Sequence, residues 1–251
     1  MEQTNKRRRG IFLLPNLFTT GTLFAGFYAI VAAMNGRFEA AAVSIYIAMV
    51  LDSLDGRIAR LTNTQSAFGA EYDSLADLCA FGLAPSLVLY QWHLVDLGKV
   101  GWLAAFIYTA GTALRLARFN TQVGIADKRY FQGLPSPAAA AVTAGMVWVG
   151  ENLGLREYPG ITVATMVISV MVALLMVSRI RYNSFKELDL RGRVPFVAIL
   201  VMVLVFVVVA IHPAVLFVLV FAYALSGPTL TLARLRHHRA ARRKTPPGES
   251  S

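Results

Sequence analysis

The sequence has little of what a soluble or disulfide-linked domain needs. Its 251 residues include one cysteine, Cys79, which excludes an intramolecular disulfide, and only 15% of the residues are charged. Soluble domains average about 25% charged residues and about 45 to 50% apolar residues. Here 56% of the residues are hydrophobic. The composition therefore predicts a polytopic membrane protein rather than a soluble domain.

Long apolar runs define the expected helices, because a helix needs about 17 to 25 apolar residues to cross a bilayer. We predict an all-α, polytopic transmembrane helix bundle with about eight spans, near residues 12–34, 38–61, 68–91, 99–119, 136–152, 161–180, 194–211 and 213–233. These spans form one transmembrane domain, 12–233. A basic juxtamembrane segment at 1–11 precedes it, and a basic tail at 234–251, whose charge and Thr-Pro-Pro-Gly run predict disorder, follows it.

Basic residues are concentrated on one side of this predicted bundle. With the N-terminus in the cytoplasm, 21 of the 24 Lys and Arg residues lie on the cytoplasmic side, and Arg37, Lys99 and Arg156 lie outside. Because cytoplasmic loops are enriched in Lys and Arg, we expect an integral protein of a prokaryotic cytoplasmic membrane with both termini inside. The formal net charge of +10 follows from this bias, so we predict contact with membrane lipids and no nucleic-acid partner.

Four aspartates interrupt the second and third predicted spans. The sequence is DSLDGRIAR at positions 52–60 and GAEYDSLAD at positions 69–77. On insertion scales, each Asp near the centre of a membrane helix costs about 2.5 to 3.5 kcal/mol. Something must therefore offset these charges, and divalent cations are the obvious candidates.

Helical spacing places these carboxylates on two stripes. Asp52 and Asp55 are three residues apart, and Asp73 and Asp77 are four residues apart, so each pair lies on one face of its helix. If the two stripes face each other, four carboxylates converge. The set contains no Cys or His, and all-oxygen ligands suit Mg²⁺ or Mn²⁺ better than Zn²⁺.

Small residues and one arginine accompany the aspartates. Gly56, Ala59 and Gly69 leave space for a flat ligand to approach the helix backbone. Arg60 offers a planar set of donors that suits a phosphate group. The same segment could therefore bind a phosphorylated ligand beside its cations.

The pattern DxxDGxxAR, eight residues, then GxxxDxxxD resembles the signature of the CDP-alcohol phosphotransferases, and every fixed position is filled. The resemblance implies a membrane enzyme that uses two divalent cations, Mg²⁺ or Mn²⁺, and tends to form homodimers. All four aspartates would then hold the cations, Asp77 would also be the general base, and Arg60 would assist catalysis at the phosphate. The implied nucleotide and CDP-lipid site comprises Asn16, Asp52, Gly56, Ala59, Arg60 and Gly69. Asn16 is equally compatible with simple helix capping.

Sequences outside this motif resemble the integral-membrane phosphatidylserine synthases of that family. They are LLPNLFT at 13–19, FGLAPS at 81–86, LRLARFN at 114–120, FQGLPSP at 131–137 and YNSFK at 182–186. The resemblance implies transfer of the phosphatidyl group from CDP-diacylglycerol to L-serine, giving phosphatidylserine and CMP. The alternative acceptors are glycerol 3-phosphate and inositol phosphate. Phosphatidylglycerophosphate synthases usually have Pro and Lys where this chain has Ser74 and Leu78, which weakens the first of these alternatives.

Five further polar residues are candidates for holding serine or a phosphate: Arg115, Arg118, Asn120, Arg179 and Lys186. A carboxylate or phosphate is the group that a guanidinium binds most strongly. The simpler interpretation is that these residues belong to the positively charged cytoplasmic flanks of their helices.

A cation transporter is the remote alternative, because it would also need carboxylates within the membrane. Transporters commonly show inverted repeats and broken helices near the bilayer midplane. The aspartates lie in spans two and three with no counterpart in the last four predicted spans. The sequence therefore favours an enzyme.

Overall fold

The computed structural model describes residues 2–62, 64, 66–121, 130–158, 160–183 and 212–244. Helices dominate this part of the chain. In order, the elements are α1 (Glu2–Met34), α2 (Phe38–Leu61), α3 (Ala67–Asp77), a π-helical turn (Leu78–Leu83), α4 (Ala84–Trp92), a 3-10 turn (Leu94–Leu97), α5 (Lys99–Thr121), β1 (Tyr130–Gln132), α6 (Ser136–Asn152), a 3-10 turn (Leu155–Glu157), α7 (Ile161–Val177), β2 (Arg181–Asn183) and α8 (Pro213–Lys244).

Helices occupy the predicted spans that fall within the described residues, and the predicted span 194–211 lies outside them. Among the described residues, four helical segments are long and apolar enough to cross a membrane: Pro15–Met34, Ala67–Trp92, Lys99–Thr121 and Pro213–Thr231. The helix Ile161–Val177 is apolar but shorter. A helical membrane protein is thus supported, whereas the count of eight spans stays a prediction. α2 is not in this set, and its second half carries two of the aspartates and two arginines.

Two features differ from the predicted architecture. β1 pairs antiparallel with β2, with Phe131 opposite Tyr182, so the described fold is helical, as predicted, and carries one small two-stranded sheet in addition. Strands of three residues are too short to show an alternating pattern in sequence. α8 continues to Lys244, so residues 234–244 are helical where we predicted disorder. That segment contains five arginines and two alanines, which favour helix.

Small side chains pack the interior. Ala25, Ala29, Ala32 and Ala33 of α1 are buried against Ala41, Ala42 and Ala48 of α2. Alanine allows two helix backbones to approach closely, which is the usual basis of helix association in membranes. The turn that joins α1 to α2 contains Gly36 with a φ of 71°, a conformation that favours glycine. The two helices therefore form a tight antiparallel pair on which the rest of the bundle packs.

The third apolar segment contacts this pair. α3 and α4 are joined without a break through the π-helical turn, and all three pieces pack against α1. Phe81, Leu89 and Trp92 are buried in the resulting core. The arrangement brings the end of α2 and the start of the third segment to the same end of the bundle.

Candidate active site

Three aspartates from two helices converge at that end. Asp52 and Asp55 on α2 and Asp73 on α3 each provide a carboxylate oxygen, and the three oxygens lie within 4.8 Å of one another. Asp55 is buried, with 5% of its surface exposed. Three carboxylates this close repel one another unless positive charge lies between them. The two predicted stripes therefore face each other, and their donor set fits a hard divalent cation.

Asp77 lies next to this cluster. Its carboxyl group is in hydrogen-bond contact with that of Asp52. Two carboxyl groups can make such a contact only by sharing a proton, and a bound cation would hold them together instead. Within the described part of the chain, Oδ1 of Asp77 is buried and has no hydrogen-bond partner. Asp77 thus places a buried carboxyl oxygen beside the cluster that can accept a proton or bind a cation.

A threonine of α1 supports the cluster. Thr19 Oγ1 lies 2.9 Å from Asp55 Oδ2 and 3.1 Å from the carbonyl oxygen of Pro15. The hydroxyl donates to the carboxylate and fixes its orientation. We did not predict Thr19 as a site residue. The available indication was its place in LLPNLFT, four residues after Pro15.

α1 also contacts the start of α3. Thr20 Oγ1 donates to the carbonyl oxygen of Asn16 and lies 2.9 Å from the hydroxyl oxygen of Tyr72. The amide oxygen of Asn16 lies 3.6 Å from the point where a Cβ atom at Gly69 would stand. Asn16 and Gly69, which we predicted to share the nucleotide site, are therefore neighbours.

The small residues differ in the space around them. A Cβ atom at Gly56 would meet nothing within 4 Å, whereas one at Gly69 would lie 3.1 Å from Ser66 Oγ. Ser66 caps α3 by accepting a hydrogen bond from the Gly69 amide. Ala59 is partly buried on α2. Arg60 belongs to α2, and its side chain lies outside the described part of the structure.

Arg115 is the predicted acceptor residue that lies near the aspartates. It is 9% exposed, its Nη1 donates to Ser136 Oγ at 2.8 Å, and it is close enough to Asp77 to attract it electrostatically. Its Nε has no partner among the described residues. A buried guanidinium with a free donor beside a carboxylate is suited to an anionic ligand.

The other acceptor candidates have different surroundings. Arg118 donates to the carbonyl oxygens of Val177 and Ser178 and so caps the end of α7. Asn120 Nδ2 lies 3.0 Å from Oγ of Ser74, the residue after Asp73. Arg179 is exposed. Lys186 lies outside the described residues.

Comparison with known proteins identifies the family. A family model described as CDP-alcohol phosphatidyltransferase matches residues 12–177. A CDP-diacylglycerol–serine O-phosphatidyltransferase of Helicobacter pylori (strain ATCC 700392 / 26695) is 38% identical over 198 residues, which cover 78% of this chain and 83% of that protein. The chain therefore belongs to the CDP-alcohol phosphatidyltransferase family, and the cation-transporter alternative is set aside.

Other relatives share part or most of this length. A Mycobacterium bovis protein with the same name is 40% identical over 155 residues, covering 59% of this chain and 54% of that protein. An archaetidylserine synthase of Methanothermobacter thermautotrophicus is 32% identical over 180 residues, covering 71% of this chain and 72% of that protein. The matched family region contains α1, α2 and α3, and so all four aspartates of the site.

Proposed function

We propose that this protein transfers the phosphatidyl group of CDP-diacylglycerol to the hydroxyl group of L-serine, which gives phosphatidylserine and CMP. The observation that carries the proposal is the convergence of Asp52, Asp55 and Asp73 beside Asp77. Relatives that span most of the chain are named for transfer to serine. This reaction belongs to phospholipid biosynthesis and places both substrates at the membrane surface.

The cation site consists of carboxylates. Asp52, Asp55 and Asp73 would hold two divalent cations, Mg²⁺ or Mn²⁺, and the carboxylate of Asp77 would complete the set. Asp52, Asp55 and Asp73 fit a hard cation because their carboxylate oxygens lie within 4.8 Å of one another and the set includes no sulfur or nitrogen ligand. When bound, the cations neutralise the diphosphate and stabilise the departing CMP.

The donor lies across α1, α2 and α3. Its cytidine approaches the open backbone at Gly56, with Ala59, Gly69 and Asn16 around it, and its acyl chains remain in the bilayer. The empty volume next to Gly56 supports this position, since any larger residue would fill it. Arg60 donates to the diphosphate.

Asp77 is the general base. It takes the proton from the serine hydroxyl while that oxygen forms a bond to the phosphorus that carries diacylglycerol, and the bond from phosphorus to the CMP oxygen breaks. The buried, unpartnered Oδ1 of Asp77 supports this role, because it has lone pairs available for the serine proton in the described structure. The contact with Asp52 orients the carboxyl group.

Arg115 holds the carboxylate of serine. Its free Nε and its position beside Asp77 would put the serine hydroxyl within reach of the base. Arg118, Asn120 and Arg179 are further candidates for holding serine or a phosphate at the entrance to this site. Lys186, which lies outside the described residues, stays a candidate from the sequence alone. We place this entrance, and both termini, on the cytoplasmic side of a prokaryotic membrane. A homodimer is the assembly that the family resemblance implies.

An acceptor panel tests the proposal. Purified protein in detergent, supplied with Mn²⁺ and CDP-diacylglycerol, is given labelled serine, glycerol 3-phosphate, inositol or inositol phosphate, and CMP and lipid products are measured. We expect product with serine alone. Phosphatidyl transfer to another alcohol would contradict the serine assignment while leaving the cation site intact. A parallel arm with CDP-archaeol tests the donor, because one relative is named archaetidylserine synthase.

A further inference from the structure

The third apolar segment is not one regular α-helix. Between α3 and α4, residues Leu78–Leu83 form a π-helical turn, and the amide of Ala84 donates to the carbonyl oxygen of Cys79, five residues earlier. Such a turn adds one residue to a helix and is frequently found at functional sites. Here it follows directly after Asp77.

The carbonyl group of Phe81, in the middle of the turn, is hydrogen-bonded by Tyr108 because Pro85 cannot donate to it. In an α-helix the carbonyl of Phe81 would accept a hydrogen bond from the amide of residue 85, but proline has no amide hydrogen. Tyr108 of α5 is fully buried and donates its hydroxyl to the Phe81 carbonyl oxygen at 3.2 Å. α1 and α6 also pack against the turn. The turn is therefore held by a hydrogen bond from α5 and by packing against its other neighbours.

The extra residue sets the rotation of α3. One residue corresponds to about 100° around a helix axis. The α4 half cannot rotate, because Val88, Leu89 and Trp92 are buried. The turn itself is pressed against α1, where a Cβ atom at Gly26 would stand 2.6 Å from Cα of Ala80. If a regular α-helix replaced the π-helical turn while α4 stayed in place, α3 would rotate by about 100° and carry Asp73 and Asp77 away from the aspartates of α2.

We propose that Tyr108 is a positioning residue: its hydrogen bond to Phe81 holds the π-helical turn that aims Asp73 and Asp77 at Asp52 and Asp55. The expected effect on kcat rests on the proposed function, whereas the expected effect on cation affinity depends only on the positions of the aspartates. Tyr108 itself touches neither substrate. The segment FGLAPS at 81–86 contains both Phe81, whose carbonyl oxygen accepts this hydrogen bond, and Pro85, which has no amide hydrogen to donate to that oxygen.

Tyr108→Phe and Tyr46→Phe form a matched pair. Tyr46 is also buried and donates its hydroxyl to a helix carbonyl, that of Ala141 at 2.8 Å, away from the turn. Both variants lose one buried hydrogen bond. We expect Tyr108→Phe to bind Mn²⁺ at least about tenfold more weakly by electron paramagnetic resonance, and to lose about 10-fold to 100-fold in kcat with an unchanged KM for serine. Tyr46→Phe should keep both properties.

Pro85→Ala separates positioning from stability. The substitution restores an amide that can bond the Phe81 carbonyl, so the segment gains access to the α-helical register. We expect thermal stability equal to or above that of the wild type, together with weaker Mn²⁺ binding. Two results would contradict the positioning role. If the turn served stability alone, thermal stability and Mn²⁺ affinity would fall together, and if it served neither, both would stay at the wild-type values.

The outcomes are distinguishable. Equal Mn²⁺ affinity and kcat in the two tyrosine variants would overturn the role of Tyr108. A wild-type protein that binds Mn²⁺ through a Tyr108-dependent site but transfers nothing to serine would overturn the proposed function and leave this inference standing.

Discussion

At the scale of single residues, the neighbours of each aspartate suggest how the work is divided. Asp55 is held by the Thr19 hydroxyl, and Asp52 contacts Asp77. Asp77 alone among the four has a buried oxygen without a partner in the described structure. An oxygen held by a neighbour suits a fixed ligand, and an available oxygen suits a base. These roles predict different defects when each carboxylate is removed.

Asp77→Asn should keep most of its affinity for Mn²⁺ and CDP-diacylglycerol while its single-turnover rate falls about 100-fold to 10,000-fold. The amide keeps the shape and one carbonyl oxygen but takes up no proton. Asp55→Asn should weaken the binding of the cation and the CDP-lipid together. Asp96→Asn, at an exposed site, is the control and should behave as the wild type. If Asp77→Asn loses donor binding as severely as Asp55→Asn yet turns over normally at saturation, Asp77 is a ligand and the base lies elsewhere.

His93 makes a pH-dependent contribution to stability at the end of α4. It is buried, its Nδ1 lies 3.4 Å from Thr162 Oγ1, and its Nε2 has no partner among the described residues. Burial lowers the pKa of His93 below its ordinary value of 6.5, as does nearby Arg156, while Asp96 and Glu151 act in the opposite direction. The folded protein therefore favours the neutral ring, and the unfolded chain binds the proton more readily.

As pH falls below about 6.5, this difference should lower the stability of the wild type. His93→Asn lacks the titrating ring, so its melting temperature should fall less between pH 7.5 and 5.5. The measurement is the difference between the two proteins at each pH, since the groups they share cancel. A difference that does not change with pH would contradict the neutral, buried histidine.

At the scale of elements, α1 is the helix against which the third apolar segment is aligned. It contributes Thr19 to the aspartates and Gly26 to the π-helical turn. The second contact is between backbones, so a single methyl group is enough to disturb it. The close approach of α1 and the third apolar segment at Gly26 and Ala80 keeps the end of α3 close to α2.

Gly26→Ala should destabilise the protein by about 1 to 3 kcal/mol, because its methyl group would stand 2.6 Å from the Ala80 backbone, which cannot move aside. Gly21→Ala on the same helix is the matched control. Its Cβ would lie 3.2 Å from Leu51 Cδ1, the end of a flexible side chain, so we expect little change. Thermal unfolding in detergent measures both. Similar loss at the two positions would mean that the crossing at Ala80 is not especially tight.

At the scale of the whole molecule, cation binding should stabilise the fold as well as activate it. The site joins α2 to α3, and its carboxylates repel one another without positive charge. Exhaustive treatment with EDTA should abolish activity and lower the melting temperature, and Mg²⁺ or Mn²⁺ should restore both. A cation at about 100 times its Kd adds about 2.7 kcal/mol of stability.

Asp55→Asn is the control for this effect, because it should gain less stability from Mn²⁺ than the wild type does. Comparable stabilisation of the two proteins would place the cation elsewhere. Full turnover after chelation would remove the cation from the reaction.

Much of the helical framework followed from local patterns. The apolar runs predicted the helices within the described residues, and most helix ends to within a few positions. Two helices are longer than predicted, because α1 begins at Glu2 rather than near residue 12 and α8 ends at Lys244 rather than near residue 233. Helical spacing predicted that Asp52 and Asp55 share one face. Both properties depend on residues close together in the chain, so the sequence carries them directly. The continuation of α8 to Lys244 could have been anticipated from its Ala and Arg content.

Contacts between distant residues were decided by the packing of the helices. Thr19 meets Asp55, Arg115 donates to Ser136, and β1 pairs with β2 only because the bundle brings separate segments together. The π-helical turn is the clearest case. Pro85 signals a lost hydrogen bond in the sequence, but whether the chain then kinks, breaks or inserts a residue depends on the partner that reaches the free carbonyl. That partner, Tyr108, belongs to another helix, so the rotation that aligns the two aspartate stripes is a property of the tertiary structure.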